Sequence, residues 1–333
     1  MTHYLIQLVI IMIISRTPLR VSLFGGGTDF YDYYSKFGGN FFSFAIDKYI
    51  YISAHSLVDS SDILLKYSKT ERVEDASEIE HPVFREICRE YNLKKLDFSV
   101  SSDVPAKTGL GSSSAFTVGL LNTVRCLLKM DRNPNTLVKE ACKIEISKLN
   151  EPIGVQDQNA VAFGGVAKYE ILKDGTTKRY SYANYEYFKE IVSKNFILIR
   201  ISGNRNLSSI LNEQKRNLLA GHSLEHLHSL NNLGINSMDI VSEGPKVIGQ
   251  NLQLAWHLKK KLANQISNSE LDSIINNYIK SGFYGAKLLG AGSSGYLLLV
   301  GPEKKIGEIR ESKNIQSLQI NLDDFGSTII YEM

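Results

Sequence analysis

One segment restricts this chain more than any other: Pro105-Ala106-Lys107-Thr108-Gly109-Leu110-Gly111-Ser112-Ser113-Ser114-Ala115. It follows a β-like run, Leu96 to Ser101, and leads into Ser114 to Lys129, which reads as a strong amphipathic helix. Gly109 and Gly111 permit positive φ and let a ligand come close to the backbone. Three serines then open the helix. Free N–H groups and the positive end of the helix dipole attract an anion there, and serine hydroxyls add donors and can ligate Mg²⁺. The segment reads as a phosphate cradle; the other reading is a plain turn with a helix cap. It is not a Walker A loop, since Gly-x-x-x-x-Gly-Lys-[Ser/Thr] is absent. Gly25 to Phe30 also fails Gly-x-Gly-x-x-Gly, because position 30 is Phe.

Around this loop, Ile13 to Ser22 reads as a strand interrupted at Pro-Leu-Arg. Phe41 to Ala54 alternates as a second strand, with Ile63 to Tyr67 as its expected partner. Further strands are expected at Phe196 to Ile201, Tyr296 to Val300 and Thr328 to Tyr331. Gly164 to Ile171 and Thr177 to Tyr182 flank Lys173-Asp174-Gly175, a hairpin turn. Helices are expected at Pro82 to Tyr91, Thr136 to Leu149, Leu271 to Gly282 and Lys304 to Lys313, and over Ser208 to Asn264 with a break at Gly244-Pro245. Strands and helices mix without strict βαβ alternation, which predicts an α+β fold with largely antiparallel sheets. A length of 333 residues suits two domains, residues 1–185 and 186–333, with the boundary near Tyr182 to Asn195.

The composition, 43% hydrophobic and 22% charged, is that of an ordinary globular protein. Net charge is +3 and no long Lys/Arg block occurs, so neither nucleic acid nor a membrane is expected as a partner. Cys88, Cys126 and Cys142 are odd in number, widely spaced and without Cys-x-x-Cys. They read as inert thiols in a reducing compartment rather than a disulfide or zinc framework. Tyr4 to Ile14 is almost wholly apolar but shorter than the ~20 residues of a membrane span. It lacks the flanks of a secretory signal, and reads either as a buried strand or as an extension ahead of a true start at Met12. His222, His226 and His228 lack the His-Glu-x-x-His pattern and read as surface helix residues.

Three glycine segments occur in order: Pro18-Leu19-Arg20-Val21-Ser22-Leu23-Phe24-Gly25-Gly26-Gly27-Thr28-Asp29, then Pro105 to Ala115, then Lys287-Leu288-Leu289-Gly290-Ala291-Gly292-Ser293-Ser294-Gly295. They resemble the three motifs of the GHMP kinases, and the resemblance runs from about Ile13 over nearly the whole chain. Finer signals resemble the branch that phosphorylates D-glycero-D-manno-heptose 7-phosphate. These are Gly-Gly-Gly-Thr-Asp without the Glu-His of galactokinases, Gln156-Asp157-Gln158, Gly203-Asn204-Arg205, Ile210 to Gln214, and Trp256-His257-Leu258-Lys259-Lys260. Ala106-Lys107 in place of Pro-Gly, and Ser293-Ser294 in place of glycines, depart from the family pattern.

The resemblance implies a two-domain fold, a ribosomal-S5-like N-terminal ATP-binding domain plus an α+β C-terminal domain. It also implies ATP and Mg²⁺ as cofactors, a sugar phosphate as acceptor, a cytoplasmic setting, and a place in surface-polysaccharide synthesis. The chain is expected as a monomer or homodimer. Asp157 would be the base and Arg20 its catalytic partner. Pro105, Gly109, Leu110, Gly111, Ser112, Ser113 and Ser114 would hold the nucleotide. Ser113 and Glu145 would ligate Mg²⁺. Gly26, Gly27, Thr28, Asp29, Arg205, Lys287, Gly290 and Gly292 would contact the substrate, with Arg205, Lys287 and Lys107 as candidates for its phosphate. Read from residues alone, Asp157 is equally an N-cap, Glu145 a solvated helix charge and Arg20 half of a structural ion pair.

Overall fold

The computed structural model describes residues 12–58, 60–203 and 207–333, and among these twelve strands form two sheets. In the first, β1 (Met12–Phe24) lies antiparallel to β2 (Gly39–Ser56) along nearly its whole length. The register slips between Pro18 and Leu19. Proline has no N–H for the ladder, so a bulge there is the cheapest accommodation, and the interruption expected at Pro-Leu-Arg is this bulge. β2 is long enough to serve two neighbours. Its first part pairs with β6 (Val166–Ile171) and its second with β5 (Leu96–Ser102).

β3 (Ile63–Lys66) lies parallel to β5 and antiparallel to β4 (Thr70–Val73), while β7 (Thr177–Ser181) closes the hairpin with β6. Ile63 to Tyr67 was expected beside the second strand; β5 occupies that edge instead. The second sheet runs in the order β11 (Ser317–Leu318), β8 (Phe196–Ile201), β10 (Gly295–Val300), β9 (Gly285–Leu288), all antiparallel. The last strand, β12 (Thr328–Glu332), comes back to the free edge of β1. The chain thus passes from the first sheet to the second between β7 and β8 and returns to the first with β12.

The helices of the first half are α1 (Tyr31–Phe37), α2 (Pro82–Glu90), α3 (Ser112–Leu127), α4 (Pro134–Cys142) and α5 (Gln156–Phe163). Helix α4 runs on into a π-helical turn, Lys143–Lys148. The second half adds α6 (Tyr185–Asn195), α7 (Leu207–Leu219), α8 (Leu224–Ile235), α9 (Ser237–Ser242), α10 (Pro245–Lys260), α11 (Ser269–Lys280) and α12 (Glu303–Glu311). Helix α3 corrects one expectation. It is not amphipathic, because every residue from Ser114 to Leu127 is buried. It packs on β1, β2 and β12 on one side and on α4 and α5 on the other, so it has no solvent face.

Its polar residues find partners. Thr123 donates to the Ser15 hydroxyl at 2.7 Å, and Asn122 to that of Ser327 at 3.0 Å. One continuous apolar core joins the two sheets, with Phe188 of α6 between Phe44 of β2 (ring centroids 5.3 Å apart) and Phe196 of β8 (6.2 Å). Among the described residues no helix is long and apolar enough to cross a membrane.

Candidate active site

Alternation along β1 builds the first wall of a cleft. Leu19, Val21 and Leu23 enter the core, while Arg20 and Ser22 line the cavity. The three glycine segments meet at this wall. The Arg20 amide donates to the Leu110 carbonyl at 3.0 Å, and the Tyr296 amide, just beyond the third segment, donates to the Thr108 carbonyl at 3.0 Å. Gly109 (φ 84°) and Gly290 (φ 75°) lie backbone to backbone. A Cβ on Gly109 would overlap the Leu289 carbonyl, and one on Gly290 would sit 2.5 Å from the Gly109 Cα, so neither position admits a side chain. Gly111 is the left-handed N-cap of α3 and offers no side chain to its first N–H groups. Those donors are left for a ligand, with the Ser113 hydroxyl exposed beside them.

Arg20 and Asp157 form the centre. Arg20 Nε and Nη2 donate to the two Asp157 carboxylate oxygens at 2.8 and 2.7 Å, and Nη1 donates to the Gly109 carbonyl at 2.6 Å. The guanidinium is buried, whereas 30% of the Asp157 side chain remains open to solvent. Val155 is the N-cap of α5, so Asp157 lies inside the first turn and is not a cap. Asp29 stands nearby and buried, accepting from the Gly27 and Gln156 amides at 3.0 and 3.2 Å. Burial, and then the Asp157 charge, push its carboxyl above the ordinary range.

Two lysines complete this wall. Lys287 of β9 is buried and donates to the Ser22 and Leu23 carbonyls at 3.0 and 2.8 Å. Burial and then the neighbouring cations Lys259 and Arg20 hold its pKa well below the usual value. Lys259, in the last turn of α10, donates to the Gly290 carbonyl and has its pKa lowered to about 8, by burial first and Arg20 second.

A third carboxylate lies behind the serines. Glu145, in the π-helical turn, is almost fully buried and is not a solvated charge. Its Oε1 accepts from Thr117 at 2.9 Å and Ser113 at 3.4 Å, and its Oε2 from Ser114 at 3.0 Å and Gln158 at 2.6 Å. Burial raises its pKa to about 7 in spite of these bonds. A carboxylate and an exposed serine hydroxyl are oxygen ligands of the kind Mg²⁺ prefers, and Glu145 with Ser113 fits that ion.

Residues 68–165 match the family model described as the GHMP kinases N terminal domain. The matched stretch contains the second glycine loop, α3, Glu145 and Asp157. A D-glycero-alpha-D-manno-heptose 7-phosphate kinase of Campylobacter jejuni is 27% identical over 328 residues, spanning 94% of this chain and 96% of that protein. Two solved structures share the fold. A D-glycero-D-manno-heptose 1-phosphate kinase from Bacteriodes thetaiotaomicron has a TM-score of 0.77 at 21% identity, covering 96% of this chain and 99% of that one. Lactococcus lactis galactokinase complexed with galactose has a TM-score of 0.74 at 17% identity, covering 95% of each.

Arg20, Gly26, Gly27, Asp29, Asp157, Lys287 and Gly290 line one cavity. Thr28 is not among its walls. It is buried, its hydroxyl donating to the Gly25 carbonyl at 2.8 Å and accepting from the Asn40 amide at 3.2 Å, so it staples the turn. Gly292 packs on Ile266, and Leu110 is a core residue acting through its carbonyl. The Lys287 ammonium is held by two carbonyls and ties β9 to the end of β1. Lys107 is exposed on the second loop, and Arg205 lies outside the described residues, as do residues 1–11. His228 Nδ1 meets the Tyr33 hydroxyl at 2.8 Å with its ring edge-on to Phe37, which gives it a packing role.

Sequence reasoning gave no site role to Lys259, Gln156, Gln158, Thr117 or Gln214, although Lys259, Gln156, Gln158 and Gln214 lie in segments that carry the resemblance. Gln158 and Thr117 had a signal: Gln158 adjoins Asp157, and Thr117 follows Ser113 by one helical turn. Lys259 had only its place in the family-like segment Trp256 to Lys260, since a lysine in the last turn of a helix ordinarily reads as a partner of the dipole.

Proposed function

We propose that this protein is an ATP-dependent kinase that phosphorylates the anomeric hydroxyl of D-glycero-D-manno-heptose 7-phosphate, giving the 1,7-bisphosphate. The observation that carries the kinase reading is the meeting of two backbone glycine loops, a helix N-terminus and the Arg20–Asp157 pair at one cavity. Phosphoryl transfer asks chiefly for positioning and charge neutralisation, and this arrangement supplies both. The heptose assignment draws on the Campylobacter jejuni relative, and on a first loop whose small glycines leave room for a long acceptor. The reading includes the cytoplasm, where ATP is available, and a role ahead of GDP-heptose and surface-polysaccharide synthesis. Residues 1–185 would form the nucleotide-binding unit and 186–333 the unit facing it.

In this mechanism Asp157 takes the proton of the acceptor hydroxyl, and its partly open carboxylate faces the cavity where that hydroxyl would sit. Arg20 is positioned by the Gly109 carbonyl to hold Asp157 and to meet charge on the transferring group. The N–H groups at the start of α3 and Ser112 to Ser114 hold the nucleotide phosphates. Asp29 accepts from acceptor hydroxyls. Ser113 and Glu145 would hold Mg²⁺, which when bound neutralises phosphate charge.

An ADP-release assay over heptose 7-phosphate, free heptose, mannose 6-phosphate, galactose and fucose tests the proposal. Heptose 7-phosphate is expected to give the highest kcat/KM. If free galactose or fucose exceeds every sugar phosphate, the heptose assignment falls and the kinase class stands. ATP binding without turnover of any sugar would leave a sugar and nucleotide sensor of the same fold.

A further inference from the structure

We propose that the Lys259 ammonium is a second cationic contact, beside Arg20, for the phosphoryl group passing from ATP to the acceptor. The inference rests on the kinase reading above and names a residue that reading does not use.

Placement is the first argument. Lys259 ends α10, which packs on β9 and β1, and its side chain lines the same cavity as Arg20, Asp157 and Gly290. It therefore reaches the junction of the second and third glycine loops, where Gly290 packs on Gly109. The second argument is its hydrogen bonding. An ammonium has three N–H donors. Lys287 gives two of them to carbonyls and is sealed in the wall. Lys259 is half-buried, and the Gly290 carbonyl is its acceptor among the described residues, so donors remain for the cavity.

Charge is the third argument. Arg20 from β1 and Lys287 from β9 face Lys259, and against these three cations stand Asp157 from α5 and Asp29 from the first loop. Burial lowers the Lys287 pKa and raises that of Asp29, disfavouring the charge of each, which leaves Arg20 and Lys259 against Asp157. The lowering of the Lys259 pKa to about 8 has burial and Arg20 as its main causes. An additional anion would relieve that repulsion. In the transfer, the acceptor oxygen forms a bond to the γ-phosphorus while the β–γ bridging P–O bond breaks. The electron pair leaves on the ADP oxygen, and the hydroxyl proton goes to Asp157. Negative charge then concentrates on the phosphoryl oxygens midway between Arg20 and Lys259, where fixed cations lower the barrier.

Lys259→Met and Lys259→Arg decide the matter. With Met, kcat on ATP and heptose 7-phosphate should fall about 10²–10³-fold, with both KM values within a few-fold of wild type. ATP affinity should fall towards that of ADP in calorimetry, while ADP affinity stays put. Arg should recover most of the lost rate. The wild-type kcat/KM should bend downward above pH about 8 as the free enzyme loses the Lys259 proton. That bend should vanish in the Arg variant, whose guanidinium keeps its charge.

Three results overturn the proposal. The Met variant could keep kcat within about threefold of wild type. It could lose ATP and ADP affinity equally, which makes Lys259 a clip on the third loop. Or it could raise KM for sugar phosphates alone, which makes it a receptor for the acceptor's own phosphate. If wild type turns over no sugar, the kinase reading has failed independently. The gap between ATP and ADP affinities then still judges Lys259: a gap unchanged by Lys259→Met overturns it, and a narrowed gap supports the γ-phosphate contact.

Discussion

Asp157, lining the cavity, and Glu145, behind the serines, mark two ends of the site and are solvated in contrary ways. Asp157 meets a cation head-on. Both its oxygens take guanidinium donors, and part of the side chain stays open to the cleft. Glu145 meets no cation among the described residues. Its four donors are three hydroxyls and an amide, all neutral, and the carboxyl is almost fully buried. Neutral donors do not offset the loss of water, so the Glu145 pKa rises to about 7. One carboxylate is already paired with its cation, and the other lacks one. Chemistry at an acceptor hydroxyl suits the first end, and a divalent ion suits the second.

The sharpest way to break this contrast is Asp157→Asn. The amide keeps the shape and one acceptor for Arg20 but takes no proton. Turnover should drop about 10²–10⁴-fold while ATP affinity in calorimetry changes little. A variant retaining more than about a tenth of wild-type kcat would remove Asp157 from the base role.

Gly109→Val tests the loops between the two ends. The added Cβ overlaps the Leu289 carbonyl, so the second and third loops must part. Nucleotide affinity should fall about tenfold or more, because the phosphate-facing N–H groups lose their alignment. Equal affinities for mutant and wild type would place the nucleotide elsewhere.

Glu145→Gln probes the far end by two routes. Mg²⁺ activation should need about ten- to a hundredfold more metal, as expected when a ligand set loses its charge. Stability gives the second reading. With the folded-state pKa raised from 4.5 to about 7, the native protein holds a proton that the unfolded chain has released between those values. Stability is therefore lost as pH rises through that window, by on the order of 3 kcal/mol in metal-free solution. Glu145→Gln should flatten this loss in denaturant titrations at pH 5 and pH 8 with chelator present. Parallel pH slopes for the two proteins would show that Glu145 does not titrate in the window.

The end facing the phosphates was the more legible one in the sequence. Gly109, Gly111 and the three serines announce their chemistry locally, since backbone conformation and helix N-termini are properties of a short stretch. The strands and the antiparallel α+β class were legible for the same reason. Helix α3 was misread because Ser, Thr, Gly and Asn on one face ordinarily mean water. Here that face meets Ser15, Ser327 and Glu145, partners that only the fold delivers. Lys259 and Gln214 lay in family-like segments but received no role, because nothing in α10 or α7 points to residue 20 or 29; their nearness is a product of packing across the two sheets.

Gln214 offers the smallest effect and the finest test of the acceptor end. It is buried, lines the cavity with Asp29 and Gly27, and its Nε2 has no hydrogen-bond partner among the described residues. An unsatisfied buried donor carries a penalty that an incoming hydroxyl or ring oxygen would remove. Gln214→Ala deletes one neutral hydrogen bond, an effect of about 0.5–1.5 kcal/mol, so KM for the sugar phosphate should rise about 2- to 10-fold with kcat nearly unchanged. Because the donor is already unpaired in the free protein, the variant should melt no lower than expected for the lost packing. An unchanged KM would mean the acceptor stops short of α7. A fall in kcat without a change in KM would place Gln214 in the reacting region instead, and would draw the acceptor end of the site closer to Arg20 and Asp157 than this comparison sets it.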